Sequence, residues 1–282
     1  MKNILPILLS IIIGSALSLF ILNTFLNTTT ENNKTTKDIK KSIKNEVTTD
    51  AKKVINLNNM QDSFDNWKTY MKENVDLMAT FNPIDSEGNL IEKGMFLTLL
   101  RTGAYVVIKS KKDKNIEYKL TTIKEPVNEK IKKAITRKAH MANQYYKMEG
   151  KKLPKYDFID LEGKSHNKAV SKGNITVLKS WFINCKVCVE EFPKLNDLVD
   201  IYKDKDIQFI SLAFNEKDKL KKFLKKKPFK YVTIPDQKRY MSKELKVKQY
   251  PTHIIINSDG VILKMVNNVN TLTSELERIF EE

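Results

Sequence analysis

The sequence predicts an α/β protein: a central mixed sheet flanked by helices over residues 151–282, preceded by a small α+β region at 55–150 and an apolar helix at the amino end. Three observations carry this. Strand-like and helix-like segments alternate through 151–282, the pattern of a sheet covered by helices. An SDG turn between THIIIN and VILKMV makes the last two strands an antiparallel hairpin, so the sheet is mixed. Residues 4–26 form a predominantly apolar run, with no charged residue between Lys2 and Glu31.

That run, Ile4 to Leu26, measures about 34 Å as a helix, the thickness of a bilayer core. Ala16 and Ser18 resemble a cleavage site, but Leu19, Phe20, Ile21 and Leu22 carry the apolar stretch past it, so residues 1–27 read as an uncleaved signal anchor in contact with lipid. No cysteine follows the run, which excludes a lipid-modified cysteine as the anchor. Lys2 on one side faces Lys34, Lys37, Lys40 and Lys41 on the other, so the flanking charges do not set the orientation. Residues 28–54, rich in Thr, Asn and Lys, read as a stalk.

In the region 55–150, Phe64, Trp67, Tyr70 and Met71 recur at helical spacing, and the turn-rich NPIDSEGN follows. The runs FLTLLRTGAYVVIKS and IEYKLTTIK read as two strands joined across KKDKN, and NEKIKKAITRKAHMANQYYKM as a helix. No motif there carries chemistry. The region reads as an accessory domain, and His140 as a packing or surface residue.

From 151 onward the order is strand YDFID, turn LEGK, strand ITVLKSWF, helix CKVCVEEFPKLNDLVDIYK, strand IQFISLAF and helix EKDKLKKFLKKK. Strand YVTIP, a short helix around SKELK, the hairpin THIIIN/VILKMV and a terminal helix TSELERIFE complete it. The lysines at 217–230 invite a nucleic-acid reading, but Leu220, Phe223 and Leu224 make a core stripe and the lysines fill the solvated face. The +16 net charge, from 50 basic and 34 acidic residues, divides evenly at residue 150, so neither half is a dedicated basic module and no nucleic-acid partner is expected.

The chain has two cysteines, Cys185 and Cys188. No third exists for a structural disulfide. Zinc needs about four ligands, and His140, His166 and His253 are scattered, so neither metal nor cofactor is expected. The placement favours redox exchange. Cys185 directly follows a buried-looking strand and Cys188 lies in the first turn of an amphipathic helix, where backbone N–H groups and the helix dipole favour thiolate. Cys185 is then the nucleophile, and Cys188, one turn on, resolves the mixed disulfide.

WFINCKVCVEEFPKLN, followed about sixty residues later by YPTHIIINSDG, resembles the TlpA and ResA-like branch of thioredoxin-fold proteins over residues 152–282. The resemblance implies a thioredoxin-like sheet and a membrane-tethered oxidoreductase of the periplasm or extracytoplasmic space. Such proteins tend to act as reductants, with disulfide-containing protein substrates and a membrane thiol electron donor, often in cytochrome c maturation. The competing function is an anchored peptide-binding chaperone or assembly factor on the same fold.

By position, Glu191 is either an ordinary helix-start glutamate or a carboxylate one turn from Cys188 that relays its proton; the resemblance assigns it to the active site. Pro193 should kink the helix. The resemblance also makes Pro251 the cis-proline facing the CxxC, so that Tyr250, Pro251 and Thr252 bind an extended substrate segment. His253 reads as a filler behind it. Three departures from the family stand out: Asn184 in place of a tryptophan, Val187 in place of a proline, and Lys179 six residues before Cys185, read as burying its stem and reaching water with its head. The threonine and proline of a peroxiredoxin motif are absent upstream of Cys185, where Ser180, Trp181 and Phe182 stand.

Overall fold

The computed structural model describes residues 59–112, 115–167 and 173–281. The anchor expected at 1–27 and the stalk at 28–54 lie outside the described residues, and among those described no helix is long and apolar enough to cross a membrane. The described residues all fall within one compact unit.

Helix α1 (Phe64–Asn74) starts where the Ser63 hydroxyl accepts from the Asn66 N–H, and it buries Trp67, Tyr70 and Met71 as their spacing predicts. NPIDSEGN is more than a turn. Its first residues form β1 (Asn82–Ile84), parallel to β3 (Asn115–Thr122), and Asp85 Oδ1 then accepts the N–H groups of Glu87, Gly88 and Asn89. The run FLTLLRTGAYVVIKS is not one strand. It divides into α2 (Lys93–Arg101) and β2 (Tyr105–Lys112). Phe96, Leu97 and Leu100 make a helical stripe capped by Glu92, and Gly103, at φ +76°, turns the chain out of the helix. Strand β2 pairs antiparallel with β3 as expected, giving the order β1-β3-β2. Helix α3 (Glu129–Tyr146), capped by Asn128, buries Ile131, Ile135, Ala139, Ala142 and Tyr145.

In the second half, a two-stranded ribbon of β4 (Asp157–Ile159) and β5 (Ser165–Asn167) precedes the main sheet. The main sheet takes β6 (Ile175–Trp181), β7 (Ile207–Ala213), β8 (Val232–Ile234), β9 (Thr252–Ile256) and β10 (Ile262–Val266) in the order β10-β9-β6-β7-β8. It is mixed, as predicted: β6 runs parallel to β7 and antiparallel to β9, while β9 and β10 form the hairpin. Both β6 and β9 are buried nearly throughout, which is why they read as continuous apolar runs.

The single helix expected after Cys185 is two, α4 (Lys186–Glu190) and α5 (Phe192–Ile201). The break falls at Glu191, where Pro193 opens α5 and has no N–H to continue α4. The short helix expected around SKELK is a π-helical turn starting just before it, Tyr240–Glu244. Helices α6 (Lys217–Leu224) and α7 (Val269–Glu281) complete the fold.

The region before residue 150 is bonded into the main sheet's surroundings. Glu275 of α7 accepts from both the N–H and the hydroxyl of Thr80, at 2.6 and 2.8 Å, and Asp76 accepts from Asn268 at 3.0 Å.

Candidate active site

Strand β6 ends at Trp181, and the next turn is fixed by a hydrogen bond from Cys185 N–H to the Phe182 carbonyl and one from Ile183 N–H to Asn215 Oδ1. Cys185 then occupies the cap position of α4, with no side chain satisfying the helix's first N–H groups. Free N–H groups and the dipole at this position favour an anionic sulfur. Cys185 and Cys188 are joined in a disulfide with their Cα atoms 5.2 Å apart. Cys185 is 9% exposed and Cys188 fully buried, so a partner reaches Cys185 first. Asn184, Lys186 and Val187 are all exposed around it. The departures at 184 and 187 therefore alter the surface a partner meets, not the core.

Aromatic rings surround the pair. Trp181 packs edge-on to Phe192, which stacks on Phe229, and Phe182 stacks on Phe214. Tyr250 lies edge-on to both Phe182 and Phe214, at 5.7 and 4.9 Å, and burial pushes its hydroxyl up to about 12. The Tyr250–Pro251 peptide is cis. The Thr252 side chain faces inward, donating to the Gln249 carbonyl and accepting from Tyr145, each at 2.8 Å, so only its backbone remains for a substrate. The site expected over Tyr250, Pro251 and Thr252 thus narrows on the side-chain level to Tyr250. Tyr145, on the last helix of the region that carries no motif, braces this loop.

Three readings change behind the disulfide. Lys179 does not reach water. It is fully buried, with Nζ 2.7 Å from Glu191 Oε2. His253 is no filler either: also fully buried, it lies 3.1 Å from the same oxygen through Nε2, and it is the cross-strand partner of Lys179. Glu191 Oε1 accepts the Val269 N–H at 2.9 Å. Burial works to raise the Glu191 acid, but the hydrogen bond from His253 and the Lys179 ammonium overcome it and hold the group at about 2. Burial pulls the Lys179 ammonium down from its ordinary value, with Glu191 opposing, and burial likewise lowers His253, keeping the imidazole neutral.

This bears on Glu191 as a proton relay. The donors that hold its acid low also oppose its taking up a proton. With three donors already on it, the carboxylate is a fixed charge and a poor proton acceptor. The signal for the cluster was present in the sequence: a lysine within ITVLKSW and a histidine within THIII stand in strands buried on both faces, where an ionisable group needs a partner.

The other sequence-level candidates lie elsewhere. His140 is exposed and hydrogen-bonded to Gln144, and His166 pairs with Asp160 at 2.8 Å. Among the described residues no group of His, Cys, Asp and Glu side chains is arranged to hold a metal ion.

A family model described as AhpC/TSA family matches residues 149–265. The chain is 33% identical over 127 residues to thiol-disulfide oxidoreductase ResA of Bacillus thuringiensis subsp. konkukian, an alignment covering 44% of this chain and 73% of that protein. It is 28% identical over 130 residues to thioredoxin-like protein YneN of Bacillus subtilis, covering 45% and 75%. A solved structure titled as a putative thiol:disulfide interchange protein DsbE from Chlorobium tepidum is 22% identical, covering 46% of this chain and 95% of that one, with a TM-score of 0.43. With its helix-capping CxxC disulfide on a mixed sheet and its extended identity to ResA, the chain belongs to the ResA family of thiol-disulfide oxidoreductases.

Proposed function

We propose that this chain is a membrane-anchored oxidoreductase that reduces disulfides in partner proteins outside the cytoplasm. Residues 4–26 hold it in the lipid, the redox domain faces the periplasm or extracytoplasmic space, and a membrane thiol carrier re-reduces it. CxxCH segments awaiting haem during cytochrome c maturation are the substrates this reading favours. The observation that carries it is the asymmetry of the pair, with Cys185 partly exposed at a helix start and Cys188 buried one turn behind. The Cys185 thiolate attacks a partner disulfide and Cys188 displaces the reduced partner, closing the Cys185–Cys188 bond. On this reading an extended partner segment pairs with the Tyr250–Pro251 edge, which is supported by the cis peptide there and by Tyr250 packing on Phe182 of the turn before Cys185.

The direct test is a trap. Cys188→Ala in the full-length chain, expressed in membranes, should accumulate mixed disulfides through Cys185. Unimpaired function in a chain lacking both cysteines would overturn the enzymatic reading in favour of a chaperone. Direction has its own measurement: a potential near thioredoxin's, about −270 mV, supports a reductant, and one near about −120 mV opposes it.

A further inference from the structure

Cys188 is fully buried, yet it must lose its proton before it attacks the mixed disulfide. With the disulfide closed, the groups behind it are balanced: the Lys179 ammonium and the Glu191 carboxylate cancel, and the His253 imidazole is neutral. Glu191 follows Cys188 by three residues and keeps helical backbone angles, φ −78° and ψ −16°, so thiol and carboxylate neighbour each other on one face. A Cys188 thiolate therefore forms one helical turn from Glu191, whose buried cluster holds no spare positive charge.

The groups that can answer that charge are few. Glu191 is engaged by Lys179, His253 and the Val269 N–H, and taking up a proton would leave donors stranded. Tyr231, whose buried hydroxyl feels the Glu191 charge, has a proton to lose and none to gain at neutral pH. Lys179 is already protonated. His253 differs. Because an ionised carboxylate only accepts, Nε2 must carry the hydrogen it shares with Glu191, which leaves Nδ1 with a lone pair. Among the described residues, that buried Nδ1 has no hydrogen-bond partner. Lys179 and Glu191 are also the two charged groups that act on it, so its protonation follows the charge of this cluster.

We propose that His253 is the redox-linked proton acceptor of the site, taking a proton at Nδ1 as the Cys188 thiolate forms, and so setting the pH at which Cys188 becomes competent. The step balances. Cys188 thiol plus imidazole gives thiolate plus imidazolium; the thiolate attacks Cys185 Sγ, forming the Cys185–Cys188 bond and breaking the bond to the partner's sulfur. That sulfur leaves with the electron pair and takes up a proton as the imidazolium returns to imidazole. As the group that receives the proton, His253 takes part in the second step itself, with Nε2 held by Glu191 and Nδ1 left to accept. The inference rests on the thiol-exchange activity but not on partner, direction or membrane setting.

The test follows reduced full-length chain in detergent as it meets the aromatic disulfide dithionitrobenzoate, which releases one coloured thiolate when Cys185 attacks and a second when Cys188 resolves. His253→Gln keeps an N–H to offer Glu191 and loses the base. It should leave the first release within about twofold, slow the second about tenfold at pH 7, and move the second step's pH midpoint upward. An unchanged second step, or equal slowing of both, overturns the proposal. If His253→Gln does not fold, the wild type decides. With three histidines in the chain, ¹⁵N-imidazole spectra should show the His253 protonation midpoint rising on reduction, and an identical midpoint in both redox states overturns the proposal. Absence of both releases from the wild type would instead remove the exchange activity on which the inference rests.

Discussion

The three-stranded sheet at residues 82–122 and the five-stranded sheet at 175–266 are both covered by helices, yet they bury different chemistry. Around the first, Phe81, Phe96 and Tyr118 pack ring against ring over Leu100 and Leu120. The middle of the second holds Lys179 and His253 out of water against Glu191, three residues after Cys188. Apolar burial stabilises without regard to protonation, whereas a buried ionic cluster stabilises little by itself and ties the sheet to pH. The two regions should therefore answer differently to truncation and to acid.

The largest effects test that contrast head-on. Phe96→Ala should lose about 3–5 kcal/mol through cavity formation and Lys179→Met about as much, because it strands a buried carboxylate. In equilibrium denaturation, the Phe96 loss should be constant from pH 8 to 4, while the Lys179 loss should shrink as Glu191 becomes able to protonate. Equal pH dependence of the two would dissolve the distinction.

Acid itself comes next. Glu191, held near 2 against an ordinary 4.5, contributes stability that is present above 4.5 and drains away as the pH falls toward 2. His253 adds in the same direction, since below its ordinary 6.5 the unfolded chain binds a proton that the folded chain resists. Stability measured across pH 7 to 3 should fall, and Glu191→Gln should flatten the lower part of that slope.

A smaller change probes the join between the regions. Glu275→Ala frees the Thr80 N–H and hydroxyl, and a loss of about 2 kcal/mol is expected from denaturant titration. Smallest of all is Lys230→Ala. Its bond to Asp200 is exposed at both ends, and its removal should shift stability by less than about 1 kcal/mol, an effect that salt erases.

Local chemistry made much of this legible in the sequence. The α1 stripe, the β2–β3 pairing, the mixed order of the main sheet and the position of Cys185 at a helix start all follow from periodicity and turn residues acting within a few positions of each other. FLTLLRTGAYVVIKS misled because dense apolar residues satisfy the helical and the strand period alike, and Gly103 was the overlooked boundary. Asn82–Ile84 escaped because its partner in β3 lies more than thirty residues on and leaves no local mark.

What the sequence determined by itself is the redox pair: two cysteines three apart, placed between an apolar strand and an amphipathic helix, admit thiol exchange and little else. Only the tertiary structure decided what stands behind them. Lys179, Glu191 and His253 are separated by 12 and 62 residues along the chain and meet because β6 and β9 run side by side while the break before Pro193 aims Glu191 inward. Whether a lysine in a strand reaches water or a carboxylate depends on what covers that strand, and the covering group comes from elsewhere in the chain.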